Sequence, residues 1–251
     1  MKARFIFSPI VLLVALSVIL SSCTEAVNKL ASVAVNHQFQ FEREDTVKWG
    51  KVVEQTYEIT DFRALDIEGV VCVIYGQDSV YSVRLRGNEK CLQAYKVELD
   101  EDELQVNLKE GEKKNVSDKT PGIILYVTAP CLTDVDFSGG GKLMMQGKID
   151  MPGELKVELN GASNFIVDSL TVGNLELETN GAAKCTLTNV VTAGNIEIEM
   201  NGAGDIDANV TCQDLRIELN GAGKGVFSGE CKKLVCEENG ASKVDFSNLK
   251  R

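Results

Sequence analysis

Acidic side chains recur at one fixed position along this 251-residue chain, and they are its first candidates for chemistry. Each glutamate stands two residues before an Asn-Gly-Ala tripeptide: Glu158, Glu178, Glu199, Glu218 and Glu237. Stacked carboxylates repel one another unless they are hydrated or neutralised, so such a column could be a solvated face or a stripe that binds cations or a basic partner. A column differs from the clustered acid–base pair of an enzyme. We therefore favour the solvated face, predict no catalytic residues and no cofactor, and keep the cation stripe as a weaker metal-site hypothesis.

The cysteines and the single histidine lack the spacing of a metal motif. Seven cysteines follow Cys23 without any C-x-x-C pair, and His37 is the only histidine. Zinc sites need closely spaced cysteine and histidine ligands, so we interpret these cysteines as small buried apolar residues. Cys212 and Cys231 each lie eight residues before an Asn-Gly-Ala tripeptide. If the repeats stack, these two residues are neighbours within disulfide range, and the sequence leaves open whether they bond.

The Asn-Gly-Ala tripeptides themselves indicate a repeat architecture with a period of 19 to 21 residues. Before each one, apolar residues alternate with polar residues, as in Leu175-Glu-Leu177-Glu, which is typical of a β-strand with one buried face. Glycine accepts the positive φ of a tight corner. We therefore predict one structural corner per repeat: Asn160 and Gly161, Asn180 and Gly181, Asn201 and Gly202, Asn220 and Gly221, and Asn239 and Gly240.

Two all-β folds could use this pattern. Asn-Gly between alternating runs is a strong hairpin signal, so an antiparallel meander remains open. We favour a single-stranded parallel β-helix, a solenoid with about 20 residues per coil. Stacking places each residue above its own copy, which explains why every corner has the same tripeptide, whereas a meander does not need identical hairpins. Stacked asparagines could also hydrogen-bond along the axis.

The N-terminal residues indicate a targeting signal. Lys2 and Arg4 precede an apolar run that ends in Leu-Ser-Ser-Cys23, which resembles a bacterial lipobox. Acylation of Cys23 would attach the chain to a membrane, and a transmembrane anchor is the alternative. We predict a signal peptide (1–22), a lipid-anchored tether (23–55), an N-terminal β region that caps the solenoid (56–130) and the β-helix repeats (131–251). The formal net charge of -11 disfavours nucleic acid as a partner.

Three blocks of sequence carry a resemblance to a known family. A Phe62-Arg-Ala-Leu-Asp-Ile-Glu-Gly block comes first, a Cys131-Leu-Thr-Asp-Val-Asp-Phe-Ser-Gly-Gly-Gly-Lys block follows, and Leu/Ile-Glu-Leu-Asn-Gly-Ala blocks repeat after that. Over residues 57–245 the chain resembles the putative auto-transporter adhesin head GIN-domain family, which is common in Bacteroidetes lipoproteins and of unknown function. The resemblance implies a single-stranded β-helix and supplies no catalytic residues.

Three hypotheses of function follow. The favoured one is a non-enzymatic, lipid-anchored protein of the cell envelope, an adhesin or a surface-binding scaffold with an unknown protein or glycan partner. It would be exported and attached to the outer membrane, facing the periplasm or the cell surface. The alternatives are a carbohydrate-active β-helix enzyme, which rests on analogy of fold alone, and a structural module that self-associates through its coil ends.

Overall fold

A computed structural model of the chain describes residues 48–113 and 121–251. The predicted signal peptide, Cys23, His37 and most of the predicted tether therefore lie outside the described residues. The described residues belong to one compact unit. In the described part of the chain, no helix has the length and apolar character that crossing a membrane requires.

The described residues are almost entirely β-structure, which confirms the all-β prediction. The strands are β1 Val52–Tyr57, β2 Ala64–Gln77, β3 Ser82–Asn88, β4 Tyr95–Asp100, β5 Glu103–Leu108, β6 Ile123–Ala129, β7 Asp134–Thr192, β8 Asn195–Gly240 and β9 Lys243–Lys250. β1 begins inside the range predicted as tether. A five-residue helix, α1 (Glu89–Gln93), follows β3 and buries Cys91 and Leu92. Its single turn is too short to produce a helical period, so the sequence did not indicate it.

The strands form one sheet in the order β1-β3-β6-β2-β7-β8-β9, and β5 joins β2 to β4. The N-terminal part is mixed, because β3 pairs antiparallel with β1 and β6, and β4 pairs antiparallel with β5. β7 and β8 pair in parallel, with Asn180 opposite Asn201 and Gly181 opposite Gly202. The antiparallel meander is therefore wrong for these repeats, since its neighbours would run in opposite directions.

Within β7, segments that are about one repeat apart in sequence lie beside each other. The amide of Asn180 donates to the amide oxygen of Asn160 at 3.2 Å, although the two residues are 20 apart in sequence. A straight 59-residue strand would be far too long for that contact. Gly161 and Gly181 have φ of +115° and +132°, a conformation that few L-residues adopt, and the chain turns there.

The core follows directly from the alternation in sequence. Leu175, Leu177, Ile196 and Ile198 are at most 2% exposed, while the glutamates between them face outward. Burying one such aliphatic side chain contributes about 1.5–3 kcal/mol. The core continues from Phe62 in the N-terminal part to Phe227 near the C-terminus. One continuous core therefore extends through the N-terminal region and the repeats.

Candidate functional site

The five corner asparagines form a hydrogen-bonded column, which we call the Asn column. After Asn160, each amide nitrogen donates to the amide oxygen of the asparagine one repeat earlier. The distances are 3.2 Å from Asn180 to Asn160, 3.1 Å from Asn201 to Asn180, 3.0 Å from Asn220 to Asn201 and 2.8 Å from Asn239 to Asn220. The column joins every neighbouring pair of predicted corners along the stacking direction.

The same amides also hold the glutamates, which form a parallel Glu column. Within one repeat the asparagine amide donates to the glutamate two residues earlier. The distances are 2.9 Å for Asn160 and Glu158, 2.9 Å for Asn180 and Glu178, 2.8 Å for Asn201 and Glu199, and 2.9 Å for Asn220 and Glu218. Both amide hydrogens of Asn180, Asn201 and Asn220 are thus used, because an amide group has two to donate. One carboxylate oxygen of each of these glutamates is held as an acceptor.

Nearby basic residues offset part of the negative charge. Arg216 lies 3.2 Å from Glu197 and 3.8 Å from both Glu218 and Glu237. Lys156 lies 3.6 Å from Glu176 in the adjacent outward position. These side chains are substantially exposed, so each pair contributes no more than about 1 kcal/mol. These ion pairs therefore neutralise only part of the charge of the acidic face.

The acidic column extends further toward the N-terminus than the sequence analysis recognised. In the sheet Asp66 stands opposite Asp136, and Ser138 donates to Asp136 at 3.2 Å. Burial raises the pKa of the Asp136 carboxyl, the Ser138 hydroxyl lowers it, and the charges of Glu158 and Asp66 raise it. Burial is also the main cause that raises the pKa of Asp134.

A sequence signal for this extension exists. Leu-Asp66-Ile-Glu-Gly and Val-Asp136-Phe-Ser-Gly have the same spacing as Val-Glu158-Leu-Asn-Gly, with aspartate in place of glutamate. The segment around Ser138-Gly139 is recognisable in the sequence as a degenerate earlier copy of the repeat, but without the Asn-Gly-Ala tripeptide its aspartate is not assigned to the acidic column. In the structure Gly69, Gly139 and Gly161 lie beside one another in that order. A Cβ atom on Gly139 would overlap the carbonyl oxygen of Gly69, and a Cβ atom on Gly161 would overlap that of Gly139.

The alanines of the tripeptides lie on the surface beside the Asn column. Ala182, Ala203 and Ala222 are exposed and line a shallow depression of about 410 Å³. Lys184 and Asp205 also line it. With a floor of small side chains, this surface is flat and offers few groups that could orient a small ligand.

The remaining candidates form no metal-binding group. Among residues 48–113 and 121–251, no group of three or more histidine, cysteine or acidic residues is arranged to hold a metal ion. The Glu column runs past the corners as a line of single carboxylates. Cys212 and Cys231 are both buried thiols. Cys23 lies outside the described residues.

Two crystal structures share this fold, each covering 80% of this chain and 97% of the other. One is a putative adhesin from Bacteroides fragilis NCTC 9343, with 19% identity and a TM-score of 0.61. The other is a putative adhesin from Parabacteroides merdae ATCC 43184, with 17% identity and a TM-score of 0.53. At these identities the likeness concerns the fold alone.

Comparison with curated proteins gives no match. The sequence does match the family described as putative auto-transporter adhesin, head GIN domain, over residues 61–188 and again over 176–251. The two matched segments together include all five corners and the N-terminal block that begins at Phe62. The resemblance drawn from the sequence is therefore confirmed, and the chain belongs to this family.

Proposed function

We propose that this chain is a non-enzymatic, lipid-anchored protein of the cell envelope that acts as an adhesin or surface-binding scaffold. One observation carries the proposal: the repeated polar residues are committed to one another. The corner amides donate to the preceding asparagine and to the glutamate of their own repeat. Side chains that bond to one another in this way have a structural role, because catalytic groups must be free to contact a substrate.

The proposed architecture is a single-stranded parallel β-helix. Parallel in-register pairing of β7 with β8 and the contacts between repeats inside β7 support it. Seven corner glycines follow one another from Gly69 to Gly240. At about 4.8 Å per step, these seven glycines extend over about 29 Å. A regular stack of this kind presents a long flat side, which suits binding to an extended partner.

The adhesive role is taken from the family and is supported by the shape of the surface. The family description and both similar crystal structures name putative adhesins. Adhesins act outside the cell, which agrees with the predicted signal peptide and lipobox. The partner would be a protein or a glycan of the envelope or of a neighbouring cell, and it would approach the exposed sides of the stack.

Anchoring is tested by replacing the predicted acylated residue. Cys23→Ala should leave an unprocessed precursor or release the protein from the membrane fraction, because no diacylglyceryl group can then be attached. Cys131→Ala, a half-buried cysteine of the repeat region, is the control and should remain membrane-bound and processed. Failure of a fatty-acid analogue to label the unaltered protein would contradict the anchor.

Adhesion is tested by binding and by topology. The purified chain is screened on arrays of glycans and extracellular proteins, and the same chain is incubated with envelope polysaccharides while the release of new reducing ends is measured. Binding without cleavage supports the proposal, whereas saturable cleavage would favour the carbohydrate-active alternative. Protease treatment of intact cells distinguishes a surface protein, which is digested, from a periplasmic one.

A second candidate, self-association through the coil end, has one observation in its favour. Val244, Phe246 and Leu249 of β9 are only partly buried, whereas the corresponding Phe227 one repeat earlier is fully buried. Solenoids protect such ends with caps or with another copy. Light scattering of the purified chain tests this: a monomer at all concentrations would exclude it, and Phe246→Ser should dissociate an oligomer formed through this end.

A further inference from the structure

Two buried cysteines are neighbours across successive repeats of β8. In the sheet Val190 stands opposite Val210. A Cβ atom on Gly229 would overlap the carbonyl oxygen of Val210, so Gly229 lies in the next pass of the chain beside Val210. Cys212 and Cys231 are each two residues further along. The parallel register therefore places the two cysteines side by side.

Their side chains point to the same face. Cys212 is 6% exposed and Cys231 is 1% exposed, while Thr211 and Glu230 before them are exposed. Neighbouring parallel strands lie about 4.8 Å apart, and disulfides form between Cα atoms about 4.4–6.8 Å apart. The thiols are also close enough to influence each other: burial, with a smaller contribution from Cys231, raises the pKa of Cys212 to about 11.

The pair lies between the two successive passes of the chain that precede β9. Each repeat is stabilised mainly by its neighbours, so a covalent link between two repeats strengthens the contact on which both depend. Within the described residues β9 pairs with β8. Burial raises the pKa of Cys231, whereas the charge of Arg251 lowers it. A covalent link here would join two neighbouring repeats of β8.

We propose that Cys212 and Cys231 form a disulfide bond that staples the C-terminal repeats of the exported protein. The proposal rests on export, as argued above, because disulfides persist outside the reducing cytosol. The oxidant would be a dithiol–disulfide exchange protein of the exported compartment. One cysteine thiolate attacks the oxidant's disulfide, which forms a mixed disulfide and releases one thiolate of the oxidant. The second cysteine thiolate then attacks the protein sulfur of the mixed disulfide and displaces the oxidant's other thiolate. The S–S bond forms with loss of two protons and two electrons, and the oxidant's disulfide is reduced to two thiols.

The proposed bond can be located by mass spectrometry of the full chain. Cells are lysed with a thiol-blocking reagent, and the protein purified from the envelope is digested with trypsin without reduction. Cys231 falls in peptide 225–232, and Cys212 falls in peptide 185–216 together with Cys185. We expect a linked pair of these peptides that separates on reduction. The link should disappear in Cys212→Ala and persist in Cys185→Ala, the control for a second buried cysteine of the same peptide.

A second readout is thermal unfolding with and without reductant. The melting temperature of the unaltered protein should fall on reduction, that of the double variant Cys212→Ala/Cys231→Ala should not change, and Cys185→Ala should respond as the unaltered protein does. A link from Cys231 to any other cysteine would overturn the proposal. The proposal would also be overturned if the thiol-blocking reagent modified both cysteines in the protein from the envelope and still modified both after the purified protein had been incubated with oxidised glutathione. A link that forms only in oxidised glutathione supports the geometry and contradicts export to an oxidising compartment.

Discussion

Adding one methyl group at a corner glycine tests the stacked corners most directly. Gly202 has φ of +123°, and a Cβ atom there would overlap the carbonyl oxygen of Gly181 in the preceding repeat. Backbone atoms cannot rotate away as a side chain can. The unfavourable backbone conformation costs about 1–3 kcal/mol, and the overlap costs about another 1–3 kcal/mol. We expect Gly202→Ala to destabilise the fold by about 2–6 kcal/mol, a large part of the 5–15 kcal/mol typical of a domain.

Three other glycines separate the two causes. Gly147 has φ of +78° with nothing within 4 Å of an added Cβ, so Gly147→Ala reports backbone strain alone. Gly173 lacks a positive φ, but its Cβ would lie 2.6 Å from the carbonyl oxygen of Gly153, so Gly173→Ala reports overlap alone. Gly153→Ala meets neither obstacle and should be neutral or slightly stabilising, because alanine reduces the entropy of the unfolded chain.

The assay is urea unfolding followed by circular dichroism, with amide hydrogen exchange to locate the loss. The order of destabilisation should be Gly202→Ala first, Gly147→Ala and Gly173→Ala next, and Gly153→Ala last. Exchange should accelerate in the repeats on both sides of Gly202, since each repeat supports its neighbours. If Gly202→Ala differs from Gly153→Ala by less than about 0.5 kcal/mol, the corner is not strained and the stacking argument fails.

Three further predictions concern the columns. Glu199→Gln should change the free energy of unfolding by less than about 0.5 kcal/mol, because the amide oxygen still accepts from Asn201 and like-charge repulsion is removed. A loss of stability seen in calcium but not in chelator would show that the Glu column binds a cation. Asn201→Ala removes hydrogen bonds to both neighbouring repeats and should lower the free energy of unfolding by about 1–3 kcal/mol. Asn239→Ala, at the end of the Asn column, removes only one such bond and should cost less. Equal effects of the two substitutions in urea unfolding would contradict the Asn column. Because burial and neighbouring carboxylates such as Glu158 raise the pKa of Asp136, its ionised form opposes folding at neutral pH, and that cost is lost as the pH falls through the raised pKa. Asp136→Asn should therefore raise the melting temperature at pH 7, with an advantage that shrinks on acidification, whereas an advantage that grows in acid would reverse the sign of the argument.

The sequence by itself determined the all-β class and the family. The same residue types return every 19 to 21 residues, and this period identified the asparagines that the Asn column joins. Alternation such as Leu175-Glu-Leu177-Glu also identified the buried face, since side chains in a strand point to opposite sides.

Only the tertiary structure decided how the N-terminal region joins the repeats. Asp66 and Asp136 continue the acidic column because β2 pairs in register with β7, a contact between residues 70 apart. The shared spacing of the two segments indicates that they are equivalent, but it does not show that they pair. Helix α1 and the antiparallel strands around it interrupt the repeat and leave no period to detect. The hydrogen bonds of the Asn column likewise depend on the exact placement of successive repeats. Periodicity predicts which residues are equivalent, but the packing of one repeat on the next determines which atoms meet.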